Sequence, residues 1–367
     1  MSMPKRLAAL VVIVALAAGA CGSAAPATLT KVKFQLKWVA QTQFAGYYAA
    51  LDQGYYKDAG LDVTLLLGGP QVDEVQAVAS GVADMGTTWL PSMLRARENG
   101  ASDLVSIAQI YQRSGTRMAS FKTKSITKPA DMAGKKIGSW LGGNEPELFA
   151  ALTKAGIDPT DASKVNVIKQ NFDMSGLLNG DLDAAQAMIY NEYAQVLEAK
   201  NPATGQLYQP SDLNVIDFND PSVATAMLQD QVFAKSSWLA TGNNAAVATK
   251  FLTASYKGWI YCRDNFQKCV DLVLAHGTQL GASHQAWELN EVNALIWPSP
   301  NGIGTLDPAA WDQTAQIATT YKVLKAAPPA DAFRTDLAKA ALAALGSVDA
   351  KGTSFVKQTV TLNADGK

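Results

Sequence analysis

Flat aromatic rings and side-chain amides are concentrated in five short stretches of the 367-residue sequence. A planar heteroaromatic ligand would stack on indole and phenol rings and meet the amides at its edge. Carboxylates beside them would accept hydrogen bonds from ring N–H or amino groups. The candidate ligand-binding residues are Trp38, Gln41, Gln43, Phe44, Tyr47, Trp89, Tyr111, Trp140, Asn144, Glu145, Tyr190, Asn191 and Glu192.

Some of these residues also have a structural interpretation. Tyr47 and Tyr48 share one predicted helix, so we expect at least one of them to lie in the core. Asn144 precedes a predicted helix and would suit its N-cap. The glycine pair at 142–143, before the same helix, would suit a bound anion, although Glu145 would oppose one.

Signals for catalysis are sparse. The chain has two histidines, His276 and His284, which fall in predicted helices away from every predicted strand end. Their spacing matches no zinc motif, and the sequence contains no Gly-x-Ser-x-Gly elbow, P-loop or Cys-x-x-Cys pair. We therefore expect a binding protein rather than an enzyme, with no catalytic residue, no metal site and no cofactor.

Predicted strands and helices alternate through the first two thirds of the chain, and the remainder is rich in helices. The predicted strands are 31–36, 61–67, 83–86, 104–111, 134–140, 165–169, 184–190 and 213–218. The predicted helices are 44–58, 72–80, 91–99, 145–155, 174–179, 191–199, 236–240, 245–265, 268–276, 283–296, 308–321 and 330–345. This alternation is typical of parallel βαβ units, whose ligands bind at the carboxyl ends of the strands. The five aromatic stretches all follow predicted strands.

The alternation restarts near Gly134, which indicates an α/β fold of two lobes with a ligand cleft between them. We expect hinge strands to cross between the lobes near residues 111–118 and 218–226. The predicted division is a leader and tether at 1–30, a discontinuous first lobe at 31–116 plus 222–367, and a second lobe at 117–221.

The N-terminus has the pattern of a secretion signal. Lys5 and Arg6 precede an apolar run at 7–18, which is too short to span a bilayer comfortably. Small residues before Cys21 resemble a bacterial lipoprotein cleavage site, although Ala18 stands where leucine is usual. We predict that Cys21 carries lipid and that small residues after it form a tether. Plain secretion with an incidental cysteine is the alternative.

Cys262 and Cys269 are the remaining cysteines, a plausible pair in an exported protein. On one straight helix, seven residues would separate them by roughly 10 Å. A disulfide needs Cα atoms within about 7 Å. Either the two thiols are free, or the helix breaks near residues 264–265; we favour a break and a disulfide.

The charge balance favours a small ligand over a polyanion. Lys and Arg number 31 and Asp and Glu 32, so the formal net charge is −1. The sequence contains no basic stripe with interleaved aromatic residues, so we expect no nucleic-acid partner. Hydrophobic residues make up 48% and charged residues 17%, as in a globular protein.

Four segments carry a family resemblance: KWVAQTQFAGYYAALDQGYYKDAGLDVTLLLGGP, SGVADMGTTW, GKKIGSW and DAAQAMIYNEY. They resemble the periplasmic solute-binding proteins of ABC importers, in the branch that includes alkanesulfonate and nitrate binders and proteins similar to thiamine-pyrimidine synthase. The resemblance covers most of the chain after residue 31. It implies a two-lobed periplasmic-binding-protein fold, type II-like, an exported monomer held to the membrane only by its lipid anchor, and an ABC permease with its ATPase as partners.

Within this branch the chain is similar to importers of riboflavin, first, or of thiamine-precursor pyrimidines, second. The resemblance implies that the cleft is lined by Trp38, Gln43, Trp89, Trp140, Tyr190, Asn191 and Glu192. Anion binders of the branch use cationic or backbone clamps, which the predicted cleft lacks. The synthase uses a cysteine-rich metal motif and an active-site lysine and histidine with pyridoxal phosphate, and the sequence predicts no histidine near the cleft.

Overall fold

The structure is a computed structural model that describes residues 28–279 and 281–367. The predicted secretion signal and the predicted lipid-carrying Cys21 lie outside the described residues. Within the described ranges, no helix is both long enough and apolar enough to cross a membrane.

The described residues form ten strands, which are β1 (Thr30–Gln35), β2 (Leu61–Leu66), β3 (Met85–Thr88), β4 (Leu104–Gln109), β5 (Thr116–Phe121), β6 (Lys136–Ser139), β7 (Asn166–Lys169), β8 (Ala184–Met188), β9 (Leu213–Asp217) and β10 (Gln231–Lys235). They make two five-stranded sheets. The order is β2-β1-β3-β10-β4 in the first sheet and β7-β6-β8-β5-β9 in the second sheet.

Helices cover the sheets and make up most of the chain after β10. They are α1 (Ala45–Asp52), α2 (Tyr55–Asp58), α3 (Glu74–Ala79), α4 (Leu90–Glu98), α5 (Pro146–Lys154), α6 (Ser175–Leu178), α7 (Glu192–Glu198), α8 (Ser236–Leu239), α9 (Asn244–Asp264), α10 (Phe266–Ala275), α11 (Ala282–Ile296), α12 (Pro308–Thr320) and α13 (Asp336–Ala343). Short 3₁₀ turns occur at Thr42–Phe44, Lys122–Lys124, Pro129–Met132, Pro210–Asp212, Ala330–Ala332 and Ala364–Gly366. The α/β fold predicted from the sequence is confirmed.

Each sheet contains an antiparallel strand that the sequence pattern did not predict. β10 pairs antiparallel with both β3 and β4, and β5 pairs antiparallel with both β8 and β9. The pairs β1–β2, β1–β3, β6–β7 and β6–β8 are parallel, as the βαβ pattern predicts. The sheets are therefore mixed rather than purely parallel.

The predicted helix at 44–58 is wrong as a single element. The chain forms the 3₁₀ turn at Thr42–Phe44, then α1 and α2, with a break at Gly54. Gly54 has φ 77°, a left-handed conformation that glycine adopts without a steric penalty.

Two glycines let α1 lie directly against α9. A Cβ atom at Gly258 would overlap the carbonyl oxygen of Gly46, and a Cβ at Gly46 would overlap the Trp259 ring. Close backbone contact of this kind is open only to glycine. It anchors α1 on the long helix α9 and so fixes the segment just before α1.

The predicted helix break and disulfide are both confirmed. Cys262 and Cys269 are bonded, with their Cα atoms 5.1 Å apart. Helix α9 ends at Asp264 and α10 begins at Phe266, because Asn265 between them has φ −129° and ψ 57°. The turn at Asn265 brings the two cysteines within bonding distance.

The chain passes between the sheets twice, at residues 110–115 and at residues 218–230. The two passages meet at the carboxylate of Glu147, near the start of α5. Ser114 Oγ donates to Glu147 Oε2 at 2.9 Å, and the Met227 backbone N–H donates to Oε1 at 2.5 Å. Burial raises the pKa of Glu147 to about 7. The lobe boundaries at 116/117 and 221/222 stay a prediction.

Candidate ligand cleft

A cavity of about 760 Å³, here called the cleft, lies between loops of the first sheet and loops of the second sheet. Its lining includes Lys37, Trp38, Gln41, Gln43, residues 69–76, Trp89, Ser92 and Arg95 on the first side, and residues 140–145, Lys169, Phe172, Met188 and residues 190–192 on the second. These residues follow β1, β2, β3, β6, β7 and β8, at the carboxyl ends where ligands bind in open α/β sheets. The volume is typical of small-molecule sites.

Ten of the thirteen predicted ligand-binding residues line the cleft: Trp38, Gln41, Gln43, Trp89, Trp140, Asn144, Glu145, Tyr190, Asn191 and Glu192. Phe44, Tyr47 and Tyr111 do not line it and belong to the hydrophobic core. Tyr47 packs against Phe251, with the two ring centroids 6.3 Å apart. The predicted ligand role of these three is a poor fit to the structure because all three side chains are buried in the core, Tyr47 on α1, Phe44 in the turn before it and Tyr111 after β4.

Tyr111 nevertheless supports the cleft from behind. Its hydroxyl donates to the Gln43 backbone oxygen at 2.9 Å. Gln41 Nε2 donates to Gln43 Oε1 at 2.9 Å, and Gln43 Nε2 donates to Asp230 Oδ1 at 2.9 Å. Both ends of the Gln43 amide are therefore bonded to protein groups.

Asp230 is a buried carboxyl that the sequence pattern did not single out. It lies just before β10 and accepts from Trp89 Nε1 at 3.1 Å as well as from Gln43. Burial raises the pKa of Asp230 to about 6, and the Gln43 hydrogen bond and the Lys37 charge oppose the rise. Asp230 thus holds two cleft residues, Gln43 and Trp89, in fixed orientations.

The indole rings of the cleft differ in what already covers them. Lys37 Nζ lies 4.9 Å from the ring centroid of Trp89, a cation–π contact. Trp38 packs across the cleft against Phe172, with centroids 4.6 Å apart and planes at 51°. Phe172 was missing from the predicted site, although it follows β7 beside the amides of Gln170 and Asn171 and the carboxylate of Asp173, the same pattern as at the other strand ends. Trp140 is 4% exposed.

Two of the three cationic side chains that line the described part of the cleft are paired with carboxylates. Lys37 Nζ lies 3.0 Å from Glu74 Oε1, which also accepts from Thr88 Oγ1 at 2.6 Å. Arg95 Nη1 lies 3.0 Å from Glu145 Oε1, across the cleft. The third, Lys169, is exposed at the end of β7.

The glycine loop at 142–143 already holds a carboxylate of this chain. Glu145 Oε2 accepts from the Gly143 backbone N–H at 2.8 Å. Glu145 itself is the N-cap residue of α5, so the N-cap interpretation of Asn144 is wrong. Asn144 Nδ2 instead donates to the Leu141 oxygen at 3.2 Å, within the loop.

Glu192 is a buried carboxyl on the second side of the cleft. It accepts from the Met188 backbone N–H at 3.0 Å and from Asn191 Nδ2 at 2.9 Å. Burial raises the pKa of Glu192 to about 7, although both hydrogen bonds favour the charged form. The group changes charge near neutral pH and is a hydrogen-bond acceptor when ionised.

His284 lies next to the cleft, contrary to the expectation that both histidines are remote from it. The fully buried ring has Nε2 3.0 Å from Asn191 Oδ1 and Nδ1 2.8 Å from Glu198 Oε1. His276 is at the surface, where Nε2 lies 2.9 Å from Asp52 Oδ2. Helix α11 carries His284 to the strand end after β8, a contact that no local sequence pattern indicates.

Acidic groups surround the floor of the cleft at Tyr190. Burial raises the pKa of Tyr190 well above its usual value, and the carboxyls of Asp230, Glu192 and Glu288 raise it further. Burial also raises the pKa of Glu288 well above its usual value. This environment disfavours an anionic ligand group at the floor.

Residues 41–268 match the family model described as NMT1/THI5 like. The chain belongs to the NMT1/THI5-like family. The matched residues include the cleft lining on both sides, from Gln41 to Glu192, and helix α9, which carries Cys262.

Curated relatives of this NMT1/THI5-like chain carry names of two kinds. A formylaminopyrimidine-binding protein of Halalkalibacterium halodurans is 22% identical over 78% of this chain and 83% of its own. The riboflavin-binding protein RibY of Chloroflexus aurantiacus is 25% identical over 84% of this chain and 87% of its own. A 4-amino-5-hydroxymethyl-2-methylpyrimidine phosphate synthase of Aspergillus parasiticus is 28% identical over 51% of this chain and 53% of its own.

Among solved structures, the periplasmic aliphatic sulphonate-binding protein SsuA of Escherichia coli has the same fold. It superposes with a TM-score of 0.59 at 16% identity, over 82% of this chain and 90% of its own. The two-lobed periplasmic-binding-protein fold expected from the sequence is therefore confirmed.

The side chains of this NMT1/THI5-like cleft suit recognition by stacking and hydrogen bonding. Aromatic rings of Trp38, Trp140 and Tyr190 and the acceptor Glu192 face one cavity. In the described ranges, no group of three or more His, Cys, Asp and Glu side chains could hold a metal ion. Cys262 and Cys269 are bonded to each other and are not free as ligands or nucleophiles.

Proposed function

We propose that this protein is the solute-binding subunit of an ABC importer and captures a planar heteroaromatic ligand in the cleft. The observation that carries the proposal is the lining itself: indole and phenol rings beside a buried acceptor, Glu192, with Lys37 and Arg95 neutralised by carboxylates of the chain. The indole and phenol rings would stack on a planar ligand ring, and Glu192 would accept hydrogen bonds from N–H groups at the edge of that ring. Riboflavin is the first candidate ligand and an aminopyrimidine thiamine precursor is the second.

The size of the cleft supports the order of the two candidates. A cavity of about 760 Å³ lies in the upper part of the range found for sites of drug-sized ligands. A flavin with its sugar-alcohol chain uses such a volume, whereas a single pyrimidine ring leaves most of it to water. The names of the two binding-protein relatives fit the same two ligand classes.

An alkanesulfonate or nitrate ligand is the alternative within the same fold. It needs cationic or backbone donors, yet Arg95 and the Gly143 N–H are both engaged by Glu145. A pyrimidine synthase is the alternative outside transport, which the names of some relatives raise. The bonded cysteines leave no free thiol among the described residues for its metal motif.

The remaining parts of the proposal follow from the importer role. The protein is exported as a monomer, held to the membrane by lipid on Cys21, and delivers its ligand to an ABC permease and its ATPase. The apolar run at 7–18 before Cys21 supports export, and the resemblance to importer subunits supports the partners.

Titration of ligand-stripped protein with riboflavin tests the proposal. We expect quenching of flavin fluorescence at sub-micromolar concentration, because indole rings in contact with a flavin quench its emission. Trp38→Ala should weaken binding by about 1–3 kcal/mol through lost stacking. Trp238→Ala, a half-buried tryptophan of α8 outside the cleft lining, is the matched control and should bind like the wild type.

A thermal-shift panel of aminopyrimidines, alkanesulfonates and nitrate completes the experiment. A rise in melting temperature with an aminopyrimidine alone would support the proposed site, with an aminopyrimidine in place of riboflavin as the ligand. A shift with sulfonates alone, or equal riboflavin affinity in Trp38→Ala, Glu192→Gln and wild type, would reject the proposed site.

A further inference from the structure

Helix α11 lies behind the cleft and contacts both of its sides. Gln285 Oε1 accepts from the Thr42 backbone N–H at 2.8 Å, beside the first side. Trp287 Nε1 donates to the Ile189 oxygen at 2.9 Å, beside the second side. His284 lies next to Gln285, so its ring is placed by a helix that is itself fixed to both sides.

Both ring nitrogens of His284 face oxygen atoms. Nδ1 lies 2.8 Å from Glu198 Oε1 and Nε2 lies 3.0 Å from Asn191 Oδ1. The amide oxygen of Asn191 can only accept, so Nε2 donates to it, while Nδ1 forms a hydrogen bond with the carboxyl of Glu198, which is 5% exposed. The hydrogen bond with Glu198 holds the His284 ring in place. The hydrogen bond with Asn191 in turn fixes the orientation of this cleft residue.

The Asn191 amide has one consistent orientation in this network. Its oxygen faces His284 Nε2 and accepts a longer bond from Gln195 Nε2 at 3.4 Å. Its nitrogen therefore faces Glu192 and donates to Oε1 at 2.9 Å. A reversed amide would place its oxygen against the Glu192 carboxylate and its nitrogen against the His284 donor.

We propose that His284 is a positioning residue of the ligand site: its Nε2 donor fixes the Asn191 amide, which holds the Glu192 carboxylate as the acceptor for N–H groups of the ligand. The proposal rests on the proposed function, in which the cleft binds a small ligand. Without the His284 donor, Asn191 is free to reverse whenever Glu192 is protonated. Glu192 then donates to Asn191 and is a weaker acceptor for the ligand.

Two conservative substitutions separate the two contacts of the ring. The amide nitrogen of glutamine takes the place of ring Nε2, and that of asparagine takes the place of ring Nδ1. His284→Gln should therefore keep the contact with Asn191, and His284→Asn should keep only the contact with Glu198. Each variant loses one buried hydrogen bond, so we expect similar losses of thermal stability.

Riboflavin affinity should differ between the His284→Asn and His284→Gln variants. We expect His284→Asn to bind roughly three- to tenfold more weakly than wild type, the loss for one misplaced hydrogen bond, and His284→Gln to stay within about twofold. The surface variant His276→Gln is the control and should match wild type. Asn191→Ala should weaken binding as much as His284→Asn, and the double variant should show no further loss.

The outcomes separate this proposal from the proposed function. If wild type binds riboflavin and the asparagine and glutamine variants bind equally well or equally poorly, the positioning role is overturned. If wild type binds neither riboflavin nor an aminopyrimidine, the proposed function is overturned. In that case the contact between His284 and Asn191 is tested by NMR of the ligand-free protein. The chemical shifts of the Asn191 side-chain amide should change in His284→Asn and stay unchanged in His284→Gln. Equal shifts in both variants would reject the contact.

Discussion

At the scale of single residues, Glu192 is the cleft carboxyl that we propose to accept hydrogen bonds from the ligand. Its two oxygens are held by Met188 and Asn191, and burial raises its pKa to about 7. Two donors from the protein favour the ionised form while burial opposes it, so the residue changes between acceptor and donor near neutral pH. A ligand N–H binds the ionised form more strongly than the protonated form.

Ligand affinity should therefore fall on acidification. Below the pKa of Glu192, about 7, the protonated carboxyl is a weaker acceptor for the ligand, so the riboflavin Kd should rise by up to about tenfold per pH unit. Above that pH the affinity should be constant. The measurement is a Kd series from pH 5.5 to 8.5 for wild type and Glu192→Gln. Wild-type affinity that is flat across the series, or a Glu192→Gln variant with the same slope as wild type, would contradict this role.

At the scale of elements, α5 joins the cleft to the two passages between the sheets. It begins one residue after Glu145, which pairs with Arg95, and carries Glu147, which binds Ser114 of one passage and Met227 of the other. The buried carboxyl of Glu147 has a pKa raised from 4.5 to about 7. Between these two pH values, Glu147 is therefore largely protonated in the folded protein and largely ionised in the unfolded chain.

Stability should consequently fall as pH rises through the window from 4.5 to about 7. A raised pKa in the folded state contributes stability that is complete below 4.5 and lost above about 7, by up to about 3 kcal/mol. Glu147→Gln should reduce the slope of unfolding free energy against pH, measured by urea denaturation between pH 5 and 8; the raised pKa values of Glu192 and Asp230 account for a remaining slope. Asp220→Asn is the control, since hydrogen bonds from Ser222 lower the pKa of Asp220 below 3.8 and outside the window. An unchanged slope in Glu147→Gln would exclude this carboxyl as its source.

The sequence predicted the elements that local pattern determines. Alternating apolar runs and helix-length segments indicated β1–β4 and β6–β9, and their carboxyl ends indicated Trp140 and Tyr190 as cleft residues. β5 and β10 were missed because each follows a passage between the sheets and lies outside the βαβ repeat from which the strands were predicted. β10 is buried along nearly its whole length, so it lacks the alternation of a half-exposed strand.

Asp230 and His284 were missed because each contacts its partner only across a long stretch of chain. Asp230 binds Gln43 from 187 positions away, and His284 binds Asn191 from 93 positions away. Neither partner has a local motif, because the contact exists only once the two sheets and α11 are assembled. The sequence thus predicted the residues at strand ends and could not predict the buried groups that orient them.

At the scale of the whole molecule, three contacts join the two sides across the cleft. They are the Arg95–Glu145 ion pair at 3.0 Å, the Ser92 Oγ hydrogen bond to the Gly143 oxygen at 3.4 Å, and the Trp38–Phe172 ring contact at 4.6 Å. The two sides of the cleft are thus in contact with each other, which is a closed arrangement. We propose that opening breaks all three contacts, with the two passages near Glu147 as the predicted hinges.

The Arg95–Glu145 pair should slow ligand release rather than contact the ligand. Arg95 is 32% exposed and Glu145 12%, so the pair contributes about 0.2–1 kcal/mol, and Arg95→Ala should speed riboflavin dissociation by up to about fivefold. Stopped-flow measurement of dissociation gives this rate, and the charge-reversed double variant Arg95→Glu/Glu145→Arg should recover part of the loss. Arg334→Ala, which breaks the exposed pair with Asp336 away from the cleft, should leave the rate unchanged. Equal dissociation from Arg95→Ala and wild type would show that the pair has no part in closure.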